Sequence, residues 1–192
     1  FLSKYTVYFK NMEQKELQQW VLCALFTAFM IVGAQTTIPL PLVPFVLTDF
    51  FIILAGLVLG SRWGAMSVVL YLLLGAIGLP VFAGFSGGYH HFFGPTGGYL
   101  VGFVVAAMVA GALAAHDKPA IWRDALAAIL GQKSLYILGV SWLVVGQGMT
   151  WNAAIAAGVL PFLAGAAIKL SVAVLIAPIL RRQIARYNDI LS

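Results

Sequence analysis

The stretch FVLTDFFIILAGLVLGSRWGAMSVVLYLLLGAIGLP, Phe45–Pro80, decides what kind of molecule this is. Two apolar runs, near 45–60 and 64–80, stand on either side of Arg62. Neither alternates apolar with polar residues, so a transmembrane β-barrel is disfavoured. Each approaches the length a helix needs to cross a hydrocarbon core, about 20 residues for roughly 30 Å. Working outward, comparable runs lie near 20–36, 97–115, 128–146 and 158–180. The runs near 20–36 and 45–60 are short, which calls for a tilt or a partly unwound connection between them.

Composition agrees. The chain is 62% hydrophobic and 9% charged, with a mean hydropathy of +0.98. A soluble domain of 192 residues could not hide that much apolar surface, so lipid is the expected solvent. The expected fold is all-α and integral to the membrane: six transmembrane helices in a single compact bundle, with N- and C-termini cytoplasmic. The orientation follows from the basic residues. With the N-terminus inside, Lys4, Lys10, Lys15, Arg62, Lys118, Arg123, Arg181, Arg182 and Arg186 fall inside, and the outer connections carry no lysine or arginine. Lys133 and Lys169 lie within spans, Lys133 about one turn into the fifth, where it can snorkel to the cytoplasmic face. The net charge of +5 therefore reads as a topology signal, and no nucleic-acid partner is expected. One cysteine, Cys23, excludes an internal disulfide framework. Residues 1–19 read as a cytoplasmic or interfacial segment, 20–183 as the membrane domain and 184–192 as a cytoplasmic tail. MEQKELQQW offers a natural start at Met12, which would make residues 1–11 non-native.

Under this topology the second, fourth and sixth helices begin at the outer face, after PLPLVP, GPTGG and GVLP. Their positive dipole ends converge there and favour a ligand with a negative group; ordinary helix starts are the equally weighted alternative. Small residues four apart recur at Ala24/Ala28, Gly56/Gly60, Gly98/Gly102 and Ala107/Gly111. They let helices approach closely in lipid. Ala24 and Ala28 could instead offer a smooth face to a partner subunit.

Asp49 and Lys169 stand out because lipid makes ionisable groups expensive, about 2.5–3.5 kcal/mol each even on a lenient scale. Helical side chains lean toward the N-terminus, which sends both heads outward. Two readings stay open: Lys169 meets a ligand carboxylate or carbonyl with Asp49 beside it, or the two form a structural ion pair. FAGFSGGYHHFFGPTGGYLVG, Phe82–Gly102, combines glycine freedom with ring surface suited to an outer wall and lid. The candidate substrate-binding set is Lys169, Asp49, Tyr89, His90, Phe92, Phe85 and Tyr71. Adjacent histidines rarely chelate one ion together, so no metal and no cofactor is expected. GPTGG lacks the Lys-Ser/Thr ending of a P-loop, and no nucleophile with a base or pair of acids stands in the spans, so no enzyme is expected.

LTDFFIILAGLVLGSRWGAMSVVLYLLLGAIGLPVFAGFSGG, then FFGPTGGYLVGF, then GVLPFLAGAAIK resemble the BioY family, the biotin-binding S components of energy-coupling factor (ECF) transporters. The resemblance runs from about Leu25 to Ile179. It implies six helices, a vitamin pocket open to the outside, and a bacterial cytoplasmic-membrane location. It also implies partners, a coupling transmembrane protein and ATPases, with Ala24 and Ala28 matching the alanine motif that meets the coupling protein. Two departures bear on the site. Where the family has PFLPGDLLK, this chain has Ala164 and Ala166 in place of proline and aspartate while keeping Lys169. Where the family has TLQT, it reads Val46-Leu47-Thr48-Asp49, which suggests that Asp49 replaces the lost acid from a neighbouring helix. The leading reading is biotin capture. The alternatives are capture of a different small carboxylated compound, or a membrane protein of another class, enzymatic or structural.

Overall fold

The structure is a computed structural model that describes the backbone of residues 2–116 and 120–191, with side chains described over 16–116 and 120–186. Lys4, Lys10, Lys15 and Lys118, used above for orientation, lie outside those described side chains. Among the described residues six α-helices run in order: α1 Leu2–Gln35, α2 Thr48–Ala76, α3 Gly97–Leu113, α4 Ile121–Val145, α5 Trp151–Gly158 and α6 Leu163–Leu191. Between α1 and α2 a two-residue ribbon pairs β1 (Thr37–Ile38) with β2 (Phe45–Val46) in antiparallel register. Single 3-10 turns occur at Tyr89–Phe92 and Leu160–Phe162.

Among the described residues, four segments are long and apolar enough to cross a membrane: Glu16–Gln35, Thr48–Ala76, Ile121–Val145 and Trp151–Arg186. The apolar α3 is shorter. The two runs of Phe45–Pro80 are the two arms of α2, joined at Gly60, whose backbone (φ 82°, ψ 177°) is not helical. This is a reversal. Leu47 N–H donates to Gly33 O (3.1 Å) and Thr48 Oγ1 to Met30 O (3.4 Å), so the first arm descends against α1. Cys23 Sγ donates to Trp63 O (3.1 Å) and Thr27 Oγ1 to Ser67 O (2.9 Å), so the second arm ascends alongside α1. The arms touch, and a Cβ on Gly64 would lie 2.8 Å from Gly56 Cα.

Small residues make this packing possible. A Cβ on Gly56 would meet Ala107 O at 2.5 Å, and one on Gly111 would meet the Gly60–Ser61 backbone. Two of the small-residue pairs thus seat α3 on the α2 turn. Gly98 and Gly102 seat α3 on Trp142 and Leu135 of α4. Ala24 and Ala28 differ, because both are exposed on the outer face of α1. Lys133 also departs from expectation. Because α4 begins at Ile121, Lys133 lies about 18 Å along it, at 1.5 Å per residue, on an exposed face.

Gly60 occupies backbone space essentially closed to residues with a Cβ, at a cost of order 1–3 kcal/mol. Gly60→Ala should therefore lower the melting temperature of the detergent-solubilised protein, whereas Gly78→Ala, with nothing within 4 Å of its Cβ, tests the cost of positive φ alone. Equal melting of Gly60→Ala and wild type would contradict a tight reversal.

Candidate functional site

The starts of α2, α3 and α6 converge at one end of the bundle around a cavity of about 200 Å³. Its wall is mostly apolar, from Val43, Phe82, Leu100, Phe103, Leu135 and Phe162 among others, with a few polar groups set into it. That mix is typical of small-molecule sites.

The charged wall is a single ion pair. Lys169 Nζ lies 2.6 Å from Asp49 Oδ1 and 2.7 Å from Oδ2, and donates a further hydrogen bond to Val46 O at 3.1 Å. Both residues are 8% exposed. An ammonium has three protons, and here all three have acceptors. Asp49 sits in the first turn of α2, where the helix dipole favours an anion. Lys169 also lies 4.3 Å from the centre of the Phe45 ring, and that ring stacks on Phe162 at 6.1 Å. Gly165 leaves room for this, since a Cβ there would stand 2.4 Å from the Phe45 ring. One lysine thus ties the β2 strand and the start of α2 to α6, and the pair itself lines the cavity. The two sequence readings, ligand wall and structural pair, coincide in one arrangement.

Of the residues expected from sequence, Lys169, Asp49 and Tyr71 line the cavity. Phe85 and Tyr89 do not; they are 71% and 72% exposed. His90 is exposed as well, and Phe92 is half-buried, packing against Phe82 with ring centres 6.3 Å apart. The glycine-rich segment instead contributes Phe82, Ala83, Ser86, His91 and Thr96 to the wall. Gln35 at the end of α1 clamps it, donating to Phe82 O (3.2 Å) and accepting from Phe85 N–H (2.9 Å). Gln132 and Tyr136 of α4 also line the cavity. Sequence reasoning passed over both, although their (i, i+4) spacing inside an apolar run was available as a signal. Among the described residues no group of His, Cys, Asp or Glu is placed to hold a metal ion.

A second buried ion pair lies at the opposite end. Asp124, 0% exposed, pairs with Arg181, which also donates to Leu57 O at 3.2 Å. Ala115 N–H completes the set by donating to Asp124 Oδ1 at 2.9 Å. In sequence Asp124 falls just before the apolar run near 128–146, and Arg181 falls among the basic residues that set the topology, so neither stands out as a buried charge.

A bundle of helices long and apolar enough to cross a membrane, with a mostly apolar, partly open cavity at one end, is the architecture of a solute-binding membrane subunit. Residues 9–186 match the BioY family, and the chain belongs to that family. It is 44% identical over 161 residues to the "Biotin transporter BioY" of Thermotoga maritima, covering 84% of this chain and 94% of that protein. It is 43% identical over 166 residues to the "Probable biotin transporter BioY" of Pyrococcus horikoshii, covering 86% and 96%. Its fold is similar to the crystal structure of the S-component for biotin from an ECF-type ABC transporter, with a TM-score of 0.81, 29% identity, and coverage of 88% of this chain and 93% of that one.

Removing one partner of a buried pair costs about 3–5 kcal/mol, because the other charge is left bare. Asp49→Asn should lower the melting temperature accordingly, and adding Ala166→Asp, one turn before Lys169, should recover most of the loss. Failure to recover would contradict the exchange of one acid for the other. The loop histidine offers a pH test. Burial, and secondarily the neighbouring His90, hold the His91 imidazole below its ordinary 6.5. The unfolded chain then binds the extra proton first, so stability is full above about pH 6.5 and falls as pH drops through the folded value. Melting measured from pH 8 to 5 should show this decline, and His91→Phe should flatten it; an unchanged slope in the variant would assign the decline to another group.

Proposed function

We propose that the protein is a membrane-embedded biotin-binding subunit that captures the vitamin and hands it to an ATP-driven partner module. It is a capture protein of a transporter family, not an enzyme. The observation that carries this reading is a mostly apolar, partly open cavity of about 200 Å³ at converging helix starts in a chain of the BioY family. A thioether ring and an aliphatic chain suit the apolar wall, and a carboxylate suits the positive end of α3 beside Thr96.

We infer six membrane crossings, α2 counting twice because Gly60 reverses it, within residues 20–183. The basic residues favour both termini on the cytoplasmic side of a bacterial cytoplasmic membrane, which puts the cavity at the outer face. Partners of ECF type, a coupling transmembrane protein and ATPases, fit the likeness to an ECF S component. The exposed Ala24 and Ala28 of α1 are then the contact face. Within the site, Lys169, Asp49 and Tyr71 form the wall against the ligand, while Tyr89, His90, Phe85 and Phe92 belong to the loop over it. A second reading, a different small carboxylated compound, is favoured by one observation: the acid sits on α2 at Asp49, and α6 has Ala166 where the family has aspartate.

Equilibrium binding of labelled biotin to the purified protein in detergent tests the reading. Tight binding is expected from wild type, and Lys169→Ala should lose it, because that change leaves the Asp49 carboxylate unpaired against an anionic ligand and frees Val46 and Phe45. A folded wild type that binds no biotin would keep the family and reject the substrate.

A further inference from the structure

Two ion pairs absorb the charges held inside this bundle, Asp49 with Lys169 and Asp124 with Arg181. Lys133 has no such counterpart among the described residues. It stands at the centre of α4, twelve residues from Ile121 and twelve from Val145, and its side chain is exposed. A helix long and apolar enough to cross a membrane thus carries an unpaired ammonium into the middle of the hydrocarbon, which is costly without a partner. Snorkelling relieves this only in part. The side chain leans toward the start of α4, where Trp122 and Arg123 mark an interface. Arg123 is ten residues back, about 15 Å along the axis, and a four-carbon stem is shorter than that.

The surroundings of Lys133 are built like a helix seam. Trp122, Leu126, Ile129 and Ile137 are exposed, and with Lys133 they form a stripe spaced four, three, four and four residues apart. A spacing that stays close to 3.5 is what a packed partner helix requires. Because α1 packs on α2, and α4 on α3, α5 and α6, this surface is separate from Ala24 and Ala28. Charge specifies the occupant. A second copy of this chain meeting its like here would set Lys133 against Lys133. Nor does the chain hold a spare acid at that depth. Of its six acids, Asp49 and Asp124 are already paired, and Glu13, Glu16, Asp117 and Asp189 lie outside the apolar runs. We propose that the α4 stripe is a docking surface for a helix of a different membrane protein, one that presents an aspartate or glutamate to Lys133 at mid-depth. This holds whatever small molecule the cavity takes.

The test places the protein in phosphatidylcholine vesicles with a dye-labelled, leucine-rich transmembrane peptide carrying one central glutamate, or glutamine in the control. Association is read by energy transfer from a dye at the protein's C-terminus. Wild type should take the glutamate peptide about tenfold more tightly than the glutamine peptide. Lys133→Leu should erase that preference, and Lys133→Arg should keep it. Both variants should melt in detergent no lower than wild type; a clear fall would make Lys133 a residue of the bundle's own packing and overturn the proposal. Equal binding of the two peptides by wild type also overturns it, leaving a lysine that snorkels. So does energy transfer between two differently labelled copies of the protein that Lys133→Leu abolishes, which would assign the stripe to self-association.

Discussion

The site is organised by one buried ion pair, Lys169–Asp49. Either charge alone would be prohibitive at 8% exposure in a bundle surrounded by hydrocarbon. Together, with Val46 O taking the third proton, they become a neutral wall. The pair fixes the depth of α6 against the start of α2 and holds β2 over both. Phe45 can lie flat against Phe162 only because that strand is tethered and Gly165 has no side chain. At the other end Asp124–Arg181, with Leu57 O, repeats the device. Lys169 and Arg181 are about 18 Å apart along α6, at 1.5 Å per residue, and the partners they grip on α2 are Asp49 and Leu57. The first arm of α2 and α6 therefore run side by side, pinned at both ends, with the cavity above one pin and the Gly60 reversal below the other.

Much of the fold was legible in the sequence, for physical reasons. A hydrocarbon solvent demands long apolar helices, so the six runs could be read directly, and small residues four apart marked where backbones touch: Gly56 against Ala107, Gly111 against the Gly60 turn. The expense of charge in lipid singled out Asp49 and Lys169 before any geometry was known. What could not be read was direction. The same aromatic-rich loop sends Phe82 and His91 inward and Phe85 and Tyr89 outward, and that choice rests on the Gln35 clamp at Phe82 and Phe85, a contact fifty residues apart in sequence. Gln132 and Tyr136 were hidden for the opposite reason. Their (i, i+4) spacing puts the two on one face of the helix, but spacing alone does not say that this face meets a cavity.

The buried ammonium constrains its surroundings by charge. The acid that meets Lys169 of α6 comes from α2, and it stands within 2.7 Å of the ammonium. Charge neutrality, rather than the position of the acid in the sequence, is the constraint that the buried ammonium imposes.

A double-mutant cycle on melting in detergent, with Lys169→Met, Asp49→Leu and the two combined, tests this most directly. If mutual neutralisation is what the pair provides, each single change should be strongly destabilising and the double variant should recover most of the loss. Strictly additive effects would show that each residue is held by something other than its partner, and would contradict the ion pair as the organiser of the site.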